Sequence, residues 1–66
     1  MTSYPYITVY ECLIGWKSVK IDLVHDHCGV AYEEPLQTGF TAYPTREEAV
    51  SDGLDWAFSE GLEFKE

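Results

Sequence analysis

The sequence predicts one small α+β domain: an antiparallel sheet of three strands, with room for a fourth, packed against a single C-terminal amphipathic helix. Three observations predict it. β-Branched and aromatic residues alternate with polar ones through the first half of the chain. Glycines at 15 and 29 punctuate that run where turns are needed. A capped segment with helical spacing follows Pro44. A sheet and a helix each have one apolar side to cover, so a two-layer β-β-β-α sandwich is the expected arrangement.

The first strand is expected over Tyr4–Ile14, with Tyr6, Ile7, Thr8, Val9 and Tyr10 suited to a pleated surface. One parity carries Ile7, Val9 and Leu13, the predicted core face. The other carries Tyr6, Thr8, Tyr10 and Cys12, a half-exposed tyrosine face. Gly15 permits a hairpin. From Lys17 onward, Val19, Ile21 and Leu23 alternate with Ser18, Lys20 and Asp22, which reads as a half-buried antiparallel strand. Residues 25–29 form a polar turn, and Val30, Ala31 and Tyr32 begin a third strand. Glu33-Glu34-Pro35 ends that strand or marks it as a sheet edge, because proline cannot donate to a ladder. Leu36–Tyr43 reads as a loop or a short extended segment.

Thr45-Arg46-Glu47-Glu48 fits a capping box, with Thr45 as N-cap and Glu48 at N3. Val50, Gly53, Leu54, Ala57 and Phe58 share a stripe and predict the buried face, with Trp56 at its margin. Gly61 suits the C′ position, and Leu62 is expected to fold back on the last turn.

With 66 residues the chain is expected to be one domain, 1–66. A composition 45% hydrophobic and 15% aromatic argues for a folded core rather than disorder. Twelve carboxylates against four basic residues give a formal charge of −8. Nucleic acid and anionic membranes are polyanions, so both are poor partners for such a chain. A basic protein surface is the natural complement. Two cysteines are too few for a disulfide scaffold, and the absence of a leader-like segment predicts a cytoplasmic monomer with reduced thiols.

The acids have a pattern as well as a number. Glu48, Asp52 and Asp55 fall at i, i+4 and i+7, with no lysine or arginine interleaved, and are expected to face solvent. They space charge at one per ~5 Å of helix axis, the same order as the ~3.4 Å between phosphates along a DNA strand. A plain solvated face is the ordinary reading of a charge run. Against it stands the C-terminal half, where Arg46 and Lys65 are the only bases among the acids from Glu33 onward. A helix that declines local acid–base pairing is better explained if a partner supplies the missing cations.

Other chemistry is thinner. Cys12, His25, His27 and Cys28 offer zinc-ligand types, provided the first and third strands are neighbours, but no CxxC pair is present. A small metal-binding protein is therefore a rival reading, as is an accessory dimerisation domain using the tyrosine face. Gly15-Trp16-Lys17-Ser18 shares only its ending with a phosphate-binding loop, and no GxSxG or HExxH occurs. No enzyme activity and no cofactor are expected.

In charge, in its compact strand-rich start and in the acidic segment Thr45–Trp56, the chain resembles the small acidic anti-CRISPR proteins of phages and mobile elements that act on type I systems, type I-C among them. The resemblance covers size and character along the whole chain and includes no diagnostic motif. It implies a non-enzymatic DNA mimic that blocks DNA recognition by a Cascade-type complex through its large subunit, in the cytoplasm of a bacterial host. The charge and face argument itself selects Glu33, Glu34, Glu47, Glu48, Asp52, Asp55, Glu60 and Glu63 as the partner-binding acids.

Overall fold

The computed structural model describes residues 4–66. Strands β1 (Tyr6–Cys12), β2 (Gly15–His25) and β3 (Ala31–Thr38) precede helix α1 (Arg46–Glu60) and a two-residue strand β4 (Glu63–Phe64). The sheet order is β3-β2-β1-β4, antiparallel except for the parallel β1–β4 pair. The α+β class therefore holds, with the fourth strand making the sheet mixed.

β1 is shorter than the sequence suggests, because Leu13 and Ile14 form the turn and are fully or largely exposed. Gly15 opens β2 at φ +138°, and a Cβ there would collide with the Tyr43 carbonyl. That close approach has a cause: Trp16 and Tyr43 exchange backbone hydrogen bonds of 2.8 Å each. Together with a 2.8 Å bond from Gly39 N–H to the Ser18 carbonyl, they lace residues 39–43 to β2. At the far end of β2, the Asp26 carboxylate accepts from the backbone N–H of Cys28 and Val30, which closes the turn.

β3 continues through Pro35 to Thr38. Of the two readings the sequence left open at Glu33-Glu34-Pro35, the sheet edge is correct: among the described residues β3 pairs only with β2, and every one of its residues is exposed. Lys20 pairs with Gln37 but Ile21 with Pro35, leaving Leu36 as the extra residue of a bulge. Bulge and proline both blunt an edge that would otherwise invite further strands.

The helix begins and ends where its sequence says. Thr45 Oγ1 accepts from the Glu48 N–H at 3.3 Å, and Gly61 in the left-handed region closes the last turn with Leu62 N–H bonded to the Ala57 carbonyl. The buried stripe differs, however. Ala49, Gly53 and Ala57 are buried, whereas Leu54 is 50% and Phe58 90% exposed. Small residues at i, i+4 and i+8 bring the helix backbone down onto β1, β2 and β4. Gly53 leaves room for the Phe64 ring and the fully buried Ile7. The larger side chains are rotated out of that close contact, towards the β4 edge.

The strand registers fix which sheet face the helix covers. Ile7 pairs with Lys20 and Val9 with Ser18, so these four share the helix-covered side. Val19, Ile21 and Leu23 therefore lie on the other side, level with Thr8, Tyr6 and, on β3, Glu33. The alternation expected for β2 is thus present, with its aliphatic parity turned away from the helix. The polar parity of that strand faces the helix because Ser18 is small enough to sit beneath it and donates to Asp52 at 3.0 Å. Lys20 can lie along the sheet and put its ammonium at the margin, 2.5 Å from Glu60.

Candidate functional site

Sorting the charged residues by face gives an uneven result. On the open side of the sheet stand Glu33, Glu63, Lys17 and Lys65, which sum to zero. The helix-bearing side carries Glu11, Asp22 and Glu34 on the sheet, Glu47, Glu48, Asp52, Asp55 and Glu60 on α1, and Glu66, which pairs with Arg46. Only Lys20 and Arg46 oppose these nine acids, leaving −7, and Asp26 in the β2–β3 turn completes the −8. Both bases on this side are already committed, Lys20 to Glu60 and Arg46 to Glu66 at 3.1 Å. The candidate site is this acidic, helix-bearing side.

Its members differ in availability. Glu47, Glu48 and Asp55 are exposed on α1. Glu48 and Asp55 lie ~20° apart around the axis and ~10 Å apart along it, so they project together, away from the sheet. Asp52 was expected to join them in solvent and does not. It lies ~40° round from Glu48, on the side of β2, where it is half-buried and accepts from the Ser18 hydroxyl. Glu60 is held by Lys20 and accepts from the indole N–H of Trp56, and the lysine first and the indole second lower its pKa. Lys20 also sits 5.7 Å from the Trp56 ring centre. Glu34 is exposed on the sheet edge.

The remaining two acids from the sequence reading, Glu33 and Glu63, sit on the opposite face. Glu33 accepts hydrogen bonds from the Tyr4 and Tyr6 hydroxyls at 2.8 and 2.9 Å, which lower its pKa. Sequence reasoning missed Glu11 and Asp22, which the strand registers bring to the acidic side, and Glu66, which Arg46 holds there. The signal for Glu11 is its shared parity with Ile7 and Val9 on β1, and for Asp22 its shared parity with Ser18 and Lys20 on β2.

The four metal-ligand types do not assemble. β2 separates β1 from β3, so the first and third strands are not neighbours. Cys12 pairs with Gly15 and His25 with Ala31, ten residues or ~33 Å apart along β2. Among the described residues no group of three or more His, Cys, Asp and Glu is placed to hold a metal ion, and no helix is long and apolar enough to cross a membrane. The acidic side also carries a shallow depression of about 230 Å³ between β3 and α1, lined by Gln37, Thr38, Gly39, Phe40, Asp52 and Trp56 among others.

Fold and site together define a small acidic α+β domain whose net negative charge is concentrated on one side. Comparison with protein-family models, with characterised proteins and with solved structures finds no match for the chain.

Proposed function

We propose that the chain is a non-enzymatic interaction protein whose helix-bearing side occupies a basic nucleic-acid-binding surface in place of DNA. One observation carries the reading: nine of the twelve carboxylates lie on one side, against two bases that are both already paired. Lysines and arginines that hold phosphates accept carboxylates by the same charge-assisted hydrogen bonds. Like DNA, an array of this kind gains affinity by neutralising a basic groove, and loses it as salt screens the charges. The resemblance to type I anti-CRISPR proteins supplies the target class, a Cascade-type effector complex engaged at its DNA-recognition surface.

The test is binding to a purified type I effector complex with duplex DNA as competitor. Reversing Glu47, Glu48 and Asp55 to lysine should lower affinity at least ~100-fold with the circular dichroism spectrum unchanged, because all three project into solvent. Reversing Glu63 on the opposite face should leave affinity within about twofold. Binding that survives the triple reversal, or that coexists with bound DNA, would sink the proposal.

A further inference from the structure

The open face of the sheet raises a separate question, independent of what the acidic side binds. It carries Tyr6, Thr8, Tyr10, Val19, Ile21 and Leu23; among the described residues no helix covers it, although Tyr6 and Val19 are already buried by their neighbours within one chain. A depression of about 400 Å³ lined mainly by apolar atoms of Tyr10, Val19, Ile21 and Pro35 runs across it. Tyr10 and Leu23 are each more than a third exposed at its ends. The apolar surface still open on this face is therefore that of Tyr10, Leu23 and Pro35 around the depression.

The charges say by what. The face sums to zero while the molecule carries −8, so neither a basic protein nor a nucleic acid finds a complement here. Its four charges are also ordered along the strands. Lys17 stands level with Tyr10 at the hairpin end, whereas Glu33 and Glu63, with Lys65 beside Tyr6, stand at the other end. The face is thus positive by one at one end and negative by one at the other. A second copy related by a two-fold axis through the middle of the face brings each positive end onto the partner's negative end. Four strands of 7, 11, 8 and 2 residues, ~4.8 Å apart, together project roughly 440 Å² per copy. Two copies approach, before side-chain relief is added, the ~1,000 Å² at which specific interfaces begin. The acids of both copies point away from the contact, so the net charge opposes it weakly.

We infer that two copies of this chain pair through the open faces of their sheets, strands running in opposite senses, into a closed dimer with an acidic helix layer on each outer side. Sedimentation equilibrium across a series from micromolar to millimolar chain tests it. The expected mass at the upper end is twice the 7.5 kDa of one chain, and no more. A Tyr10→Lys, Leu23→Lys double variant should raise the dissociation constant at least ~100-fold while keeping the circular dichroism spectrum, since both positions are already partly exposed in one copy. Lys17→Glu should weaken pairing several-fold, and more so at low salt. A mass of one chain throughout the series overturns the inference. So does a dimer indifferent to the double variant but broken by Leu54→Lys and Phe58→Lys at the β4 edge, or a mass that climbs past two copies.

Discussion

At the scale of single residues, the most consequential cluster is Tyr4, Tyr6, Glu33 and Lys65. Two phenols donate to one carboxylate, and the Lys65 ammonium stands 4.8 Å from the centre of the Tyr6 ring. Burial first, and the Glu33 hydrogen bond second, push the Tyr6 pKa from 10.0 to about 12. A phenol that is harder to ionise in the folded chain gives a stability contribution that is whole below pH 10.0 and lost as pH rises towards about 12. Urea unfolding followed across that range should show a loss in the wild-type protein that Tyr6→Phe diminishes; parallel curves would mean that Tyr6 does not report the alkaline transition. Glu33 works with the opposite sign. The two phenol bonds lower its pKa, so its contribution is present above the ordinary carboxylate range and fades as pH falls through its folded value.

At the scale of elements, two glycines separate two physical causes. Gly15 combines a backbone conformation that side chains rarely adopt with a Tyr43 carbonyl oxygen 2.3 Å from where a Cβ would stand, and both are rigid. Gly15→Ala should cost about 2–4 kcal/mol, the sum of local strain and a displaced backbone bridge. Gly53 has ordinary helical backbone, where alanine alone would gain ~1 kcal/mol, but its Cβ would stand 2.7 Å from the Phe64 ring. Overpacking costs ~1–3 kcal/mol, so Gly53→Ala should be near neutral to destabilising by about 2 kcal/mol. Chemical denaturation of both variants checks the ranking, and a Gly53 variant more damaging than the Gly15 one would show that β4 does not yield. The same elements mark what the sequence discloses. The Thr45 cap, the Gly61 stop and the Gly15 hairpin are local rules, and the structure obeys them. The orientation of β2 is not local. Alternation shows that Val19, Ile21 and Leu23 share a side; only the pairing of Ile7 with Lys20 shows that this is not the helix side. The helix stripe misleads for a related reason: Ala49, Gly53 and Ala57 gain from closeness rather than from size, so Leu54 and Phe58 dominate the pattern and lose the position. Three of the acids follow the same logic, since Asp22 belongs to the site by register and Glu33 and Glu63 leave it by register, whereas Glu11 is legible from its parity with Ile7 and Val9.

At the scale of the whole molecule, the confinement of charge sets two salt dependences of opposite sign. Two like charges ~10 Å apart in water repel by ~0.4 kcal/mol, and nine acids on one side make many such pairs. The attractions on that side are fewer. Lys20–Glu60 and Arg46–Glu66 are at least partly exposed, and pairs of that kind contribute ~0–1 kcal/mol. Repulsion therefore outweighs attraction, and screening should stabilise the fold: the urea midpoint should rise as ionic strength goes from ~0.01 M, where the screening length is ~30 Å, to ~0.15 M, where it is ~8 Å. Partner binding through the same acids should fall over the same interval, because there the charges attract. A midpoint that falls instead would mean that the two ion pairs outweigh the repulsion, which requires the acids to be farther apart than their shared face implies. A rising midpoint with salt-indifferent binding would separate the two roles: the acidic side would then strain the fold without holding the partner, and the contact would have to lie elsewhere on the molecule.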